Sequence, residues 1–228
     1  MLALVGSGEY LPVMEPIDRE LVSRLSQPVR VVCLPTAAGQ EGSDRIGYWS
    51  NLGIQHFERL GVQVEALPVI DEASANNPEY AEAISTMNFV YLSGGKPNYL
   101  YQTLAGSLVW QSILSVQAKG GLLAGCSAGA MIMGEKFFGF PGWKPGFSFL
   151  PGITIMPHFD EIPMYIKKSV SLITPQKMTL VGIEGNTALV ENKGLFEVMG
   201  NGGVTIWNRT HQTRYTSGIL PDGLVVVE

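Results

Sequence analysis

A serine lies at the centre of a glycine-flanked pentad, Gly125-Cys126-Ser127-Ala128-Gly129. An apolar run of strand type precedes the pentad, and a helix-forming run from Ala128 to Met133 follows it. This Gly-x-Ser-x-Gly pattern is typical of a nucleophile elbow, a sharp strand-to-helix turn that exposes a serine hydroxyl to substrate. The same five residues also suit an ordinary glycine-rich turn whose serine caps the helix. The pentad alone leaves both interpretations open.

A serine nucleophile needs a general base, and the chain has three histidines. His158 directly follows the predicted strand 153–156, and we expect that strand end to bring it to the same sheet edge as Ser127. The alternative role for His158 is to cap the next helix. His56 lies inside a predicted amphipathic helix, and His211 lies in a polar turn near the end of the chain. We therefore predict that His158 is the base.

The orienting acid is predicted from its position at a strand end. Glu184 ends the predicted strand 178–183, which again brings it to the edge of the site. Asp160 is two residues from His158, where it suits a helix cap or a contact with substrate. Glu191 lies in a turn and is expected to be solvated. The predicted order of the catalytic residues is serine, histidine, acid.

The glycine pair Gly94-Gly95 follows another predicted strand, 89–92. A backbone N–H of this pair and the N–H of Ala128 would form an oxyanion hole, and Gly94 and Lys96 are expected to contact substrate. The alternative is a plain strand-to-helix turn that uses glycine for a positive φ.

Strands that alternate with helices predict an α/β fold with a mostly parallel sheet covered on both faces. Four loops, over residues 6–10, 35–39, 93–97 and 125–129, fall at the carboxyl edge of that sheet and should converge on Ser127. After residue 178 the short strands, the last at 223–227, predict antiparallel hairpins appended to the sheet. The aromatic segment 137–147 is too irregular for a regular element, and it either walls the site or packs structurally.

Composition narrows the class of protein. The 228 residues suit one domain, 1–228, and 46% of them are hydrophobic against 15% charged. A net charge of −5 argues against a nucleic-acid partner. No apolar run reaches the roughly 18 residues that cross a bilayer, so no membrane partner is expected. The two cysteines, Cys33 and Cys126, predict neither a disulfide framework nor a metal site, so a cytoplasmic protein without metal or cofactor is expected.

The motifs together resemble peptidase family S51, which includes aspartyl dipeptidase (peptidase E) and cyanophycinase. The motifs that carry the resemblance occur in this order: Gly94-Gly95, Gly125-Cys126-Ser127-Ala128-Gly129-Ala130, His158, and Gly182-Ile183-Glu184-Gly185-Asn186-Thr187-Ala188. The resemblance implies a three-layer α/β/α fold, flavodoxin-like and class I glutamine amidotransferase-like. It also implies Ser127 as nucleophile, His158 as base, Gly95 as a backbone donor, and peptide or isopeptide substrates that bear aspartate. In glutamine amidotransferases of this fold the central residue is cysteine, whereas here Cys126 precedes the centre and is expected to be a small buried side chain.

The chain departs from the pattern of that family at three places. Lys96-Pro97 follows the glycine pair, the helix after His158 carries Lys167 and Lys168 without an arginine, and Glu184-Gly185 shifts the acid by one residue. We predict a serine hydrolase that cleaves an amide bond of a small peptide. The alternatives are a non-catalytic ligand-binding or regulatory protein and an esterase that uses the same serine. A homodimer is a further option.

Overall fold

The computed structural model describes residues 1–139, 141–208, 211–221 and 223–224. Its helices are α1 Glu15–Ser23, α2 Ser43–Arg59, α3 Glu72–Ala75, α4 Pro78–Ser85, α5 Pro97–Leu104, α6 Leu108–Ala118, α7 Ala128–Met131 and α8 Met164–Ile173. Its strands are β1 Leu2–Val5, β2 Arg30–Leu34, β3 Gln63–Ala66, β4 Phe89–Leu92, β5 Leu122–Cys126, β6 Lys136–Phe138, β7 Trp143–Pro145, β8 Ile153–Pro157, β9 Thr179–Ile183, β10 Thr187–Asn192, β11 Leu195–Gly200, β12 Val204–Trp207, β13 Gln212–Tyr215 and β14 Gly218–Ile219.

The main sheet has eight strands in the order β14-β11-β10-β1-β5-β4-β2-β3. The run from β1 to β3 is parallel, and β10, β11 and β14 extend it in antiparallel fashion. Alternate residues of β1 enter different layers of the core: Leu2 and Leu4 pack in one buried cluster, and Ala3 and Val5 pack in the other. The parallel α/β fold predicted from continuous apolar strands is therefore confirmed.

A second sheet holds the strand that precedes His158, and the sequence did not predict it. Its order is β13-β12-β9-β8, with β8 and β9 parallel and the other pairs antiparallel. The strands after β8 are thus shared between two sheets and do not all extend the first. Because Pro157 pairs with Ile183, His158 and Glu184 follow neighbouring strands of this second sheet and not of the sheet that carries Ser127.

The aromatic segment 137–147 contains regular structure, contrary to the prediction. β6 and β7 pair as a hairpin, with Phe138 opposite Trp143. Phe137 is fully buried in the main core, whereas Phe138 is partly exposed and meets Trp143 edge-on, with ring centroids 5.6 Å apart. Most of the predicted strand 223–227 lies outside the described residues. No helix in the described part of the chain is long and apolar enough to cross a membrane.

Candidate active site

Ser127 occupies the turn between β5 and α7 in a backbone conformation that few serines adopt. Its φ is 51° and its ψ is −108°, a strained region that costs about 1–3 kcal/mol and that the surroundings must enforce. A Cβ on Gly129 would lie 2.7 Å from the carbonyl oxygen of Leu92, and a Cβ on Gly125 would collide with the backbone of Gly129. The Ser127 N–H donates to the carbonyl of Val5 at 3.0 Å. The two glycines therefore permit the tight elbow that the pentad predicted.

The Ser127 hydroxyl and the His158 ring are in direct hydrogen-bond contact. Ser127 Oγ lies 2.7 Å from His158 Nε2, a distance that suits proton transfer from the hydroxyl to the ring. Ser127 is half-buried, and the His158 side chain is 40% exposed, so a substrate can reach both groups. Each of the two residues directly follows a strand, as predicted: Ser127 follows β5 and His158 follows β8. Their side chains are in contact although β5 and β8 belong to different sheets.

Glu184 does not contact His158. Both of its carboxylate oxygens accept hydrogen bonds from Arg214 on β13, each at 2.6 Å. These hydrogen bonds hold the pKa of Glu184 below its ordinary value and raise that of Arg214. The carboxylate that faces His158 Nδ1 is that of Glu161, whose Oε2 is 3.7 Å away, beyond the range of a direct hydrogen bond. The structure thus assigns Glu184 to an ion pair and leaves Glu161 beside the ring.

Backbone N–H groups are available beside Ser127 for an oxyanion. The N–H groups of Gly95 and Ala128 donate no hydrogen bond to any described residue. Gly95 has a φ of 142°, and a Cβ there would lie 2.6 Å from the carbonyl oxygen of Ala37, so only glycine fits. The N–H of Gly94 is different: it is buried and donates to a carboxylate oxygen of Glu9 at 2.9 Å. Gly94 therefore has no N–H to offer a substrate.

Glu9 also lies at the site, and its role was not predicted from the sequence. Its side chain is buried; one oxygen accepts from Gly94, and the other accepts from the thiol of Cys126 at 2.9 Å. Burial and the nearby Glu9 raise the pKa of Cys126 well above its ordinary value, so the thiol stays protonated and acts as a donor. Cys126 is buried as predicted, but it also has this polar role. Glu9 lies after β1 in one of the four loops predicted to converge on Ser127, and this position was the feature of the sequence that could have indicated its role.

The remaining histidines lie elsewhere. His56 is fully buried, and its Nε2 is 2.8 Å from an oxygen of Asp18. The backbone N–H of His211 donates to the side chain of Asn208 in the turn before β13. Within the described residues no group of three or more histidine, cysteine, aspartate or glutamate side chains is placed to hold a metal ion.

A cavity of about 300 Å³, the apolar pocket, opens at Ser127 and His158. Its lining is Ser127, Met131, Phe138, Trp143, Thr154, Ile155, Met156, Pro157, His158, Ile162, Val170 and Leu180. A second cavity of about 420 Å³, the polar pocket, opens at Gly95. Its lining is Gln40, Gly95, Lys96, Pro97, Asn98, Tyr99, Gln102, Phe138 and Gly139.

Lys96 and Asp160, the other two predicted substrate contacts, lie in different places. Lys96 lines the polar pocket, and its Nζ donates to Gln40 at 3.3 Å. Asp160 lines neither pocket and accepts a hydrogen bond from the N–H of Gly185 at 2.8 Å. The structure therefore places Lys96 in the same pocket as Gly95 and gives Asp160 a contact with the loop after β9.

The sequence of this chain matches the model of peptidase family S51 over residues 2–198. The chain belongs to peptidase family S51. A crystal structure of a peptidase from an acI-B1 Actinobacterium is 35% identical and superposes with a TM-score of 0.88 over 96% of this chain and 95% of that one. A peptidase E protein of Listeria monocytogenes is 21% identical with a TM-score of 0.60, over 94% of this chain and 97% of that one, and so shows the fold alone.

Among curated proteins, this S51 chain is similar to cyanophycinases. The cyanophycinase of Trichormus variabilis is 28% identical over 70% of this chain and 58% of its own length. That of Synechococcus elongatus is 30% identical over 66% of this chain and 51% of its own length. The chain therefore spans about half the length of these curated relatives. The family predicted from the ordered motifs is confirmed, and so is the α/β fold class.

Proposed function

We propose that this chain is a serine peptidase that cleaves an amide bond of a small peptide, with Ser127 as nucleophile and His158 as base. The observation that carries the proposal is the 2.7 Å contact between Ser127 Oγ and His158 Nε2 at a strained strand-to-helix turn. Membership of a peptidase family supports it. The buried, protonated Cys126 argues against a thiolate nucleophile in the same pentad.

The reaction follows from these groups. His158 Nε2 takes the Ser127 proton while Oγ attacks the amide carbon, and the N–H groups of Gly95 and Ala128 stabilise the negative oxygen of the tetrahedral intermediate. The C–N bond then breaks, and the proton passes from His158 to the leaving amine. A water molecule then gives a proton to His158 and attacks the acyl carbon. The bond between that carbon and Ser127 Oγ breaks, the carboxylic acid is released, and His158 returns the proton to Oγ. In this scheme the exposed carboxylate of Glu161 favours the ring tautomer with its proton on Nδ1, which leaves Nε2 free to accept.

Hydrolysis of a short-peptide library by the purified protein tests this proposal. We expect S127A and H158A each to lower kcat by roughly 10⁴-fold or more, because the two groups act as one unit. C126S is the matched control: its hydroxyl can still donate to Glu9, so most of the activity should remain. Loss of activity in C126S together with full activity in S127A would overturn the assignment. Ligand binding without turnover by the wild type would favour the non-catalytic alternative.

A further inference from the structure

Two cavities of different chemistry meet at the reacting groups. Ser127 and His158 line the apolar pocket, Gly95 lines the polar pocket, and Phe138 lines both. An amide whose carbonyl oxygen approaches Gly95 while its carbon lies at Ser127 Oγ is therefore beside both cavities. In that position, a part of the substrate next to the bond that breaks would enter the apolar pocket.

The apolar pocket has a chemistry that excludes an acidic side chain. Among the residues that the structure describes, its lining holds no lysine, arginine, aspartate or glutamate, and His158 is the one titratable group there. A carboxylate placed there would lose its hydration without gaining a cationic partner, which is costly in free energy. An apolar side chain would instead exchange water for contacts with Met131, Met156 and Val170.

The lysines of α8 do not supply the missing cation. Lys167 is buried, and its ammonium lies over the ring of Phe159 at 4.3 Å from the centroid, in a contact separate from the pocket. Lys168 is exposed and does not line the pocket. The two lysines of α8 therefore leave the described wall of the apolar pocket without a lysine or an arginine.

The wall of the pocket is fixed in place by a specific contact. Trp143 of the β6–β7 hairpin donates through Nε1 to the carbonyl of Ile173 at the end of α8, at 3.0 Å. Phe138 packs edge-on against Trp143, and Val170 faces the same cavity from α8. The volume of about 300 Å³ is at the small end for a ligand pocket, which suits one large side chain rather than a longer segment of peptide.

We propose that the apolar pocket selects a large apolar side chain next to the scissile bond, so that the substrates are short peptides with leucine-like or aromatic residues rather than aspartate at that position. This inference rests on the proposed serine peptidase function. It assigns the specificity of the site to the hairpin and to the inner face of α8.

Peptide pairs that differ only by leucine or aspartate, placed in turn on each side of the scissile bond, provide the test. On one side we expect the leucine peptide to have a kcat/KM roughly 10- to 100-fold higher, because burial of such a side chain is worth that factor. V170K adds a cation to the pocket wall and should reduce or reverse this preference. L172K, on the same helix but with Leu172 83% exposed, should keep the wild-type preference.

The outcomes separate this inference from the proposed function. If the wild type prefers leucine over aspartate on neither side of the scissile bond while a fluorophosphonate still labels Ser127, the inference is overturned. If the folded protein is not labelled, the peptidase function fails and the inference fails with it. An equal shift in V170K and L172K would assign the effect to surface charge and overturn the role of the pocket. The wild-type comparison needs no variant, so it decides the matter even if V170K does not fold.

Discussion

Replacement of Glu9 should show that its buried side chain positions the proposed oxyanion hole. In E9A the N–H of Gly94 and the thiol of Cys126 both lose their acceptor inside the protein. A buried donor left without a partner costs about 1–3 kcal/mol, so we expect the free energy of unfolding to fall by about 2–3 kcal/mol. Gly94 packs closely against Ser127, since a Cβ on Gly94 would lie only 3.2 Å from the Cβ of Ser127. Gly95 is the next residue, so a shift of Gly94 would also displace the N–H of Gly95.

The consequence for catalysis is a loss in kcat rather than in binding. A misplacement of about 1 Å costs about 100-fold, so E9A should lower kcat by about 10- to 100-fold with little change in KM. E9Q retains an oxygen for the Gly94 N–H and should recover most of the activity.

Steady-state kinetics and urea unfolding of both variants check this prediction, with D18N as a control. Asp18 is also buried, but its carboxylate contacts His56, so D18N should lose stability without a comparable loss in kcat. An E9A protein that unfolds more easily but turns over at the wild-type rate would refute the positioning role of Glu9.

Two further predictions concern the charged residues around the site. E184Q should leave kcat within a few-fold of wild type and cost about 1 kcal/mol of stability or less, because Arg214 is half exposed. The pKa of Glu184 is lowered in the folded state, so the stability that this ion pair contributes is present above the unfolded pKa near 4.5 and is lost as the pH falls through the folded pKa. Urea unfolding of wild type and E184Q from pH 7 to pH 3 measures this contribution. A stability difference between the two proteins that stays constant over this pH range would contradict the prediction. K96Q should raise KM by about 2- to 5-fold for peptides whose free carboxylate reaches the polar pocket, because an exposed ion pair is worth about that factor. The same peptides with an amide in place of that carboxylate should show no rise in KM. An equal rise for both kinds of peptide would contradict carboxylate binding by Lys96.

The elbow could be predicted from the sequence because its requirements are local. Gly125 and Gly129 are needed within one turn of Ser127, and the close approaches they permit involve the adjacent strand and helix. The parallel strands could also be predicted from the sequence, since continuous apolar runs are typical of strands buried on both faces. His158 was found because it follows such a run directly.

The missed features depend on pairings between distant segments. Glu184 and Arg214 are 30 residues apart, and only the β9–β12–β13 pairing brings them together. The second sheet was not predicted because an apolar strand does not encode which sheet it joins. Glu9 belongs to no recognisable motif, and its role appears only when β1, β4 and β5 are neighbours. Residue type and spacing were therefore enough to select Ser127 and His158, whose side chains are in hydrogen-bond contact, but not to predict the contacts of Glu9 and Arg214.

Location of a covalent adduct tests the central claim most directly. The folded protein should react with a fluorophosphonate, and mass spectrometry of its peptides should find one adduct on Ser127, with no adduct in S127A or after prior unfolding. His158 hydrogen-bonded to Ser127 Oγ at 2.7 Å is the reason for that reactivity, so H158A should react far more slowly. An unlabelled Ser127 in folded wild-type protein, or an adduct that persists unchanged in S127A, would contradict the account.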